Sequence, residues 1–295
     1  MSEVQRTGHA RPALVAIYGF FALLVAATLI PVLMLLSKSV APERSVLTGT
    51  VGILPRPGEI YFDAYRFVFQ NPNFVRALFN TMAFTGLGTL IGLAVTAGFA
   101  YAMSKAYLRG RRFFIILAIF IMIFSGGLIP TYLVMTELHL VNTFHILYLA
   151  GIFNVANMLI LKNSFEAVPR ELEEAAVIDG AGQWTILWRI YLPLSKAVLA
   201  VIALYYAVDY WNNYYTSMIY TTSQHLKSLQ LVLKETIYSA SDVFLALHGG
   251  VSVGEVTSQS TVAACTVIAA LPICLVYPFL QKHFAKGVML GSVKE

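Results

Sequence analysis

Asp209 is the one carboxylate in the apolar run ALYYAVDYWNNYYTSMIY, Ala203–Tyr220. Tyr205, Asp209, Asn212, Asn213, Thr216 and Tyr220 recur there at steps of three and four, which lines them along one helical face. An ionisable group inside a membrane helix costs about 3 kcal/mol on insertion scales and normally faces a cavity or a partner. Asn154 and Asn157, three apart in the preceding apolar run, are spaced to add hydrogen bonds from across such a cavity. Flat rings beside amides and a carboxylate suit a sugar, which offers stacking faces and hydroxyls. Two alternatives stay open on the residues alone. Tyr214, Tyr215 and Tyr220 also fit an outer aromatic belt, and Asp209 could instead pair with a neighbouring side chain.

Catalytic and metal chemistry find no foothold. The six histidines, among them His139, His145, His225 and His248, do not cluster at metal-ligand spacing. No His-rich, paired-carboxylate or Ser/His/Asp arrangement falls near a membrane face, so no catalytic residue is expected. Cys265 and Cys274 are nine residues apart, about 13 Å along a helix, which is too far for a disulfide. No Gly-Lys dipeptide occurs, so there is no Walker A loop to cradle a nucleotide's phosphates. No bound cofactor or metal is expected in this chain.

These residues need a scaffold, and composition names its class. The 295 residues are 58% hydrophobic and only 12% charged, with a mean hydropathy of +0.72. Soluble domains carry about 25% charged residues, so an all-α integral membrane protein is expected, with residues 1–295 as a single transmembrane domain. Spans need about 20 apolar residues and must be helical, since lipid offers backbone amides no partner. Six segments qualify: 13–36, 78–104, 113–136, 143–161, 196–220 and 259–281.

With the N-terminus inside, Arg6, Arg11, Lys105, Arg109, Arg111, Arg112, Lys162, Arg170, Arg189, Lys196, Lys282, Lys286 and Lys294 are cytoplasmic, 13 of the 20 cations. Lys38, Arg44, Arg56, Arg66, Arg76, Lys227 and Lys234 lie outside, most of them in one long loop where charge orients weakly. Both termini are therefore expected in the cytoplasm. The first apolar run exceeds a signal-peptide h-region, so it is read as a span. The net charge of +5 reflects this anchoring, and no basic stripe for nucleic acid is present.

Gly88, Gly92, Thr96 and Ala100 form a small-residue stripe that invites close packing against another helix, within the chain or in a second subunit. Gly126, Gly127 and Pro130 predict a kink in the third span. The loop 221–258 faces outward, with LKSLQLVLKETIY as an amphipathic surface helix and a flexible, small-residue stretch after it.

One segment fits neither span nor loop. PRELEEAAVIDGAGQWTILWRIYLP, Pro169–Pro193, sits between the fourth and fifth spans. Pro169 opens a helix, Glu171, Glu173 and Glu174 favour its positive end, and Gly180 falls where a left-handed C-cap belongs. A second short helix spans about 183–191, and Leu192-Pro193 lead into the fifth span. Residue physics reads this pair as a cytoplasmic docking element.

The same segment resembles the signature of ABC importer permeases: Glu174-Ala175-Ala176, three residues, Gly180, nine residues, then Ile190-x-Leu192-Pro193. The ending FAKGVMLGSVKE resembles carbohydrate permeases of the MalG type. FSGGLIPTYLV and SLQLVLKETI resemble a subgroup that imports oligosaccharides such as acidic alginate fragments. The resemblance covers nearly the whole chain and implies a type I permease fold with the insert as coupling helices. It implies ATPase coupling through Glu171, Glu174, Ala175, Ala176, Gly180, Ile190, Leu192 and Pro193. Implied partners are a second homologous permease, two cytoplasmic ABC ATPase subunits holding ATP and Mg2+, a periplasmic or lipid-anchored solute-binding protein, and the lipid of a bacterial inner membrane. Members usually place a small residue near position 209, and Asp209 would repel an anion unless paired or protonated. The rivals are an ABC permease for another solute, an ion-coupled secondary transporter using Asp209, and a membrane-embedded enzyme.

Overall fold

The computed structural model describes residues 10–248 and 259–291, and these are helices joined by turns and loops, with no strand among them. The chain divides into two compact units, Met1–Asn71 with Leu233–Ala270 and Pro72–Val232 with Leu271–Glu295.

In the first unit, α1 runs Ala10–Val40, followed by α2 (Glu43–Leu47) and α3 (Asp63–Gln70). Every side chain from Leu14 to Val32 is exposed, as expected of a helix whose apolar surface meets lipid or another subunit. Its far end is fixed locally. Ser39 shares a hydrogen bond with Tyr65 at 2.8 Å, and the Tyr61 amide donates to the Val40 carbonyl. Ser260, at the start of α15 (Gln259–Gly291), donates to the Glu43 carboxylate at 2.5 Å.

The second unit is built around α4 (Pro72–Ser104), which packs along α8 (Val155–Glu166) and α12 (Lys196–Asn212). The small-residue stripe is what allows this. A Cβ on Gly88 would lie 2.5 Å from the Tyr210 ring, and one on Gly92 3.2 Å from both the Tyr206 ring and the Ile152 carbonyl. Thr96 shares a 2.7 Å hydrogen bond with Tyr206, and Ala100 is fully buried. The stripe therefore packs within the chain. The tyrosines are satisfied too: the Tyr206 hydroxyl accepts from the Asn154 amide at 2.9 Å, and Tyr210 donates to the Tyr148 carbonyl at 2.6 Å.

Several of the segments expected as spans take another form. Leu14–Val40 and Pro72–Ser104 are single helices long and apolar enough to cross a membrane. The third is two helices, α5 (Arg111–Ile123) and α6 (Leu128–Glu137), bent by 113°. The break lies before Pro130, at Gly127 with φ 87°; Pro130 sits in the first turn of α6, where a missing amide costs little. The helix expected over 143–161 is interrupted as well: α7 (Ile146–Leu149) ends before Gly151, and α8 begins at 155 with Asn154 as its cap. Tertiary hydrogen bonds from Tyr206 and Tyr210 hold the backbone of this break, which periodicity could not reveal. The helix expected over 196–220 is α12 and then α13 (Tyr215–Tyr220), divided at Asn213–Tyr214. Beyond it, α14 extends Leu229–His248, so residues 239–248 are helical rather than a flexible loop. The rest of that stretch, 249–258, and the tail 292–295 lie outside the described residues.

Candidate functional site

The insert folds as α9 (Arg170–Ile178), a turn, α10 (Gln183–Ile186), a π turn over Leu187–Tyr191 and α11 (Leu192–Leu194). The run Gln183–Leu194 meets α12 at 86°. Glu171 and Glu173 occupy the first turn of α9. The Gly180 amide donates to the Val177 carbonyl and the Ala181 amide to that of Ala176, a Schellman closure, with Gly180 at φ 79°. Nothing lies within 4 Å of a Cβ built on Gly180. Glycine is favoured there by the left-handed backbone.

Among the described residues, one side of the insert is left without partners. Glu171, Glu174, Ala175 and Pro193 are exposed, while Ala176, Ile190 and Leu192 are half-buried against the core. Beside them Val177, Ile178, Trp184 and Trp188 are exposed, Ile178 at 86% and Trp184 at 72%. Apolar groups with acids along one edge make a surface suited to a protein contact.

The adjoining side is anchored by a cluster that residue patterns did not point to. Lys105, immediately after α4, places Nζ 2.7 Å from Glu173 Oε2. The ammonium lies 4.1 Å from the Tyr101 ring centroid and 4.0 Å from that of Tyr191, so two aromatic faces flank it. Tyr191 donates to Glu173 Oε2 at 2.6 Å. Tyr101 donates to Gln183 Oε1 at 2.6 Å, with Tyr107 at 3.4 Å from the same atom. Phe165 meets Tyr101 and Tyr191 edge-on. Next to this cluster Glu166 takes Lys162 at 2.8 Å and pairs with Arg111, whose Nε also donates to the Met103 carbonyl at 2.7 Å. A cleft of about 730 Å³ opens here, lined by Lys105, Arg111, Arg170, Glu173 and Glu174 among others.

Burial shapes the protonation of the cluster. Burial lowers the Lys105 pKa, and the hydrogen bond and charge of Glu173 only partly offset it. Burial alone would raise Glu173, but hydrogen bonds from Lys105 and Tyr191, with the Lys105 charge, hold it below the usual carboxylate range. Burial and the Glu173 carboxylate push the Tyr191 hydroxyl upward, so it remains a donor. Only Lys105's place at the end of a span was visible in sequence, as an orienting charge. Its partner 68 positions on carries no local signal.

The structure separates the residues expected along a membrane path. Tyr205, Asp209 and Asn212 share an exposed face of α12. Asn213 instead accepts from the Thr216 amide at 2.9 Å, satisfying a free amide in the first turn of α13, and Thr216 is buried. Tyr220 is buried and stacks on Tyr132. Asn154 caps α8 through the Asn157 amide at 3.1 Å, and Asn157 is itself 4% exposed. Three of the residues thus remain together on one face, and Asn154 and Asn213 hold helix starts. Thr216 and Asn157 are buried, the side-chain nitrogen of Asn157 without a hydrogen-bond partner among the described residues.

These features define an all-helical integral membrane protein. The chain belongs to the family described as binding-protein-dependent transport system inner membrane component, which it matches over residues 18–290. It is 42% identical to protein LplC of Bacillus subtilis (strain 168) over 270 residues, covering 91% of this chain and 90% of that one. It is 36% identical to the polygalacturonan/rhamnogalacturonan transport system permease protein YtcP of the same organism, covering 94% and 96%. Among solved structures, a bacterial ABC transporter involved in the import of the acidic polysaccharide alginate matches with TM-score 0.83 and 30% identity, over 96% of this chain and 100% of that one. The chain is therefore a transport component of the inner membrane.

Proposed function

We propose that this chain is the transmembrane permease subunit of an ATP-driven, binding-protein-dependent importer of oligosaccharides. The observation that carries the reading is the insert itself: a Schellman-closed helix pair, rigidly anchored on one side and offering acids and bare tryptophans on the other. On this reading Glu171, Glu174, Ala175, Ala176 and Gly180 form the part gripped by a cytoplasmic ATPase, while Ile190, Leu192 and Pro193 lead the motion into α12. ATP and Mg2+ belong to two ATPase subunits, a second homologous permease completes the pathway, and a solute-binding protein delivers the substrate. The six-span arrangement, with both termini in the cytoplasm, is the topology this requires.

The substrate class is supported by likeness to sugar and polysaccharide permeases, and acidic, alginate-like fragments are the first to test. Tyr205, Asp209 and Asn212 offer an aromatic face, a carboxylate and an amide on one side of α12, a combination suited to sugar hydroxyls. The outer segments carry seven cations and the seven acids Glu43, Glu59, Asp63, Glu137, Glu235, Asp242 and Glu255, so their charge does not favour an anion. The test is co-purification from detergent-solubilised membranes, wild type beside Glu174→Lys, with ATP hydrolysis assayed on both. The wild type should bring down an ATP-hydrolysing subunit and the variant should carry clearly less of it. Transport by a wild type that carries no ATPase would overturn the reading and leave Asp209 as the leading site of an ion-coupled carrier.

A further inference from the structure

We infer that Lys105, Glu173 and the rings around them form the mechanical joint through which movement of the insert reaches the membrane helices, separate from the surface the ATPase grips. The inference deepens the importer reading and rests on it.

A docking element transmits force only if it is fixed to what must move, and here the fixing points can be named. Glu173 in α9 is held to the end of α4 by Lys105 at 2.7 Å. Gln183 in α10 is held to α4 by the Tyr101 hydroxyl at 2.6 Å. Tyr191, in the π turn, closes the triangle by donating to Glu173. Both halves of the insert are thus tied to the last turn of one helix. An ammonium flanked by two rings with a carboxylate at hydrogen-bond distance has few other places to go, since leaving would strand a buried charge.

From α4 the connection continues through packed side chains. Gly88, Gly92 and Thr96 bring the helix into direct contact with Tyr206 and Tyr210 of α12. The adjoining, exposed face of α12 presents Tyr205, Asp209 and Asn212. The insert also reaches α12 along the chain, but through the π turn and an 86° bend. The clamp on α4 is the route made of packed side chains. Lys105, Glu173 and Tyr101 are positioning residues on this account, and they touch neither nucleotide nor sugar.

The experiment uses the assembled complex in liposomes loaded with ATP and supplied with binding protein and oligosaccharide. Three variants are compared with wild type: Lys105→Met/Glu173→Gln, which removes both charges together, and Tyr101→Phe and Tyr191→Phe, each of which loses one hydroxyl and keeps its ring. Three quantities are read: the amount of chain in the membrane, the ATPase activity that co-purifies, and sugar transported per ATP hydrolysed. The joint predicts normal ATPase co-purification with a roughly tenfold or greater fall in transport per ATP for the double variant, and a smaller fall for each tyrosine variant. A double variant that binds its ATPase and transports with wild-type yield per ATP overturns the joint and leaves the importer reading intact. If the double variant fails to accumulate, the two tyrosine variants decide: unchanged yield in both overturns the joint. Loss of the ATPase from all three variants also overturns it, because the cluster would then belong to the docking surface. A wild type without any ATPase removes the importer reading and the joint with it.

Discussion

Gly88→Ala adds a single methyl group, and the structure says where it goes. The new Cβ would stand 2.5, 2.6 and 2.9 Å from three ring carbons of Tyr210, whereas carbons pack at about 3.5–4.0 Å. The ring must therefore retreat by about 1 Å. Its hydroxyl is bound to the Tyr148 carbonyl at 2.6 Å, so retreat also breaks that bond. Overpacking of this kind costs about 1–3 kcal/mol, and a buried hydroxyl left unsatisfied costs about 1–3 kcal/mol more. The helix gains about 1 kcal/mol from replacing glycine with alanine. The balance is a loss of about 1–5 kcal/mol, or between about one and four orders of magnitude in the folded-to-unfolded ratio. Denaturation in mixed micelles, followed through the fluorescence of buried Trp211 beside Tyr210, measures it. Gly86→Ala is the control, because a Cβ there meets nothing within 4 Å; it should be neutral or slightly stabilising. Adding Tyr210→Leu to Gly88→Ala should make the pair less harmful than the sum of the single changes, since the shorter side chain clears the methyl. The packing argument is refuted if Gly88→Ala destabilises no more than Gly86→Ala.

Other perturbations probe the insert and the α12 face. Gly180→Val should weaken ATPase co-purification more than Glu174→Lys, because a β-branched residue resists φ 79° and a left-handed backbone costs an L-residue about 1–2 kcal/mol. Wild-type assembly and transport in that variant would end the coupling role of the turn. Because Glu173 is held below its ordinary 4.5, its folded state takes up a proton less readily than its unfolded state. Its contribution to stability is therefore complete above 4.5 and is lost as pH falls through the lowered folded value. Thermal stability in micelles should decline over that acid range in wild type and do so less steeply in Glu173→Gln; equal slopes would contradict the assignment. Asp209→Asn should reduce uptake several-fold while ATPase co-purification stays normal, and unchanged uptake across pH would take Asp209 out of the sugar path.

Much of the insert was legible in its residues because its constraints are local. Pro169, the acids of the first turn and Gly180 act on their own backbone, and the helix with its left-handed cap stands where those residues place it. The α12 face was only half legible. Tyr205, Asp209 and Asn212 share a side as their spacing requires, but Asn213 and Asn154 each turn to satisfy a free amide in the first turn of a helix. Asparagine does either job, and the sequence does not say which. The break at 150–154 was invisible for a related reason: an apolar run reads as continuous until buried tyrosine hydroxyls elsewhere hold its backbone open.

By itself, then, the sequence determined that this chain is helical and membrane-embedded, with a charged helix pair between apolar runs. Those properties follow from hydropathy, backbone φ and helix-end electrostatics within a few residues. Tertiary structure alone decided that the glycine stripe would face Tyr206 and Tyr210, and that Lys105 would find Glu173 between two rings. Pairing across so many intervening residues depends on how helices pack, and a buried ion is stable only where that packing delivers its counter-charge.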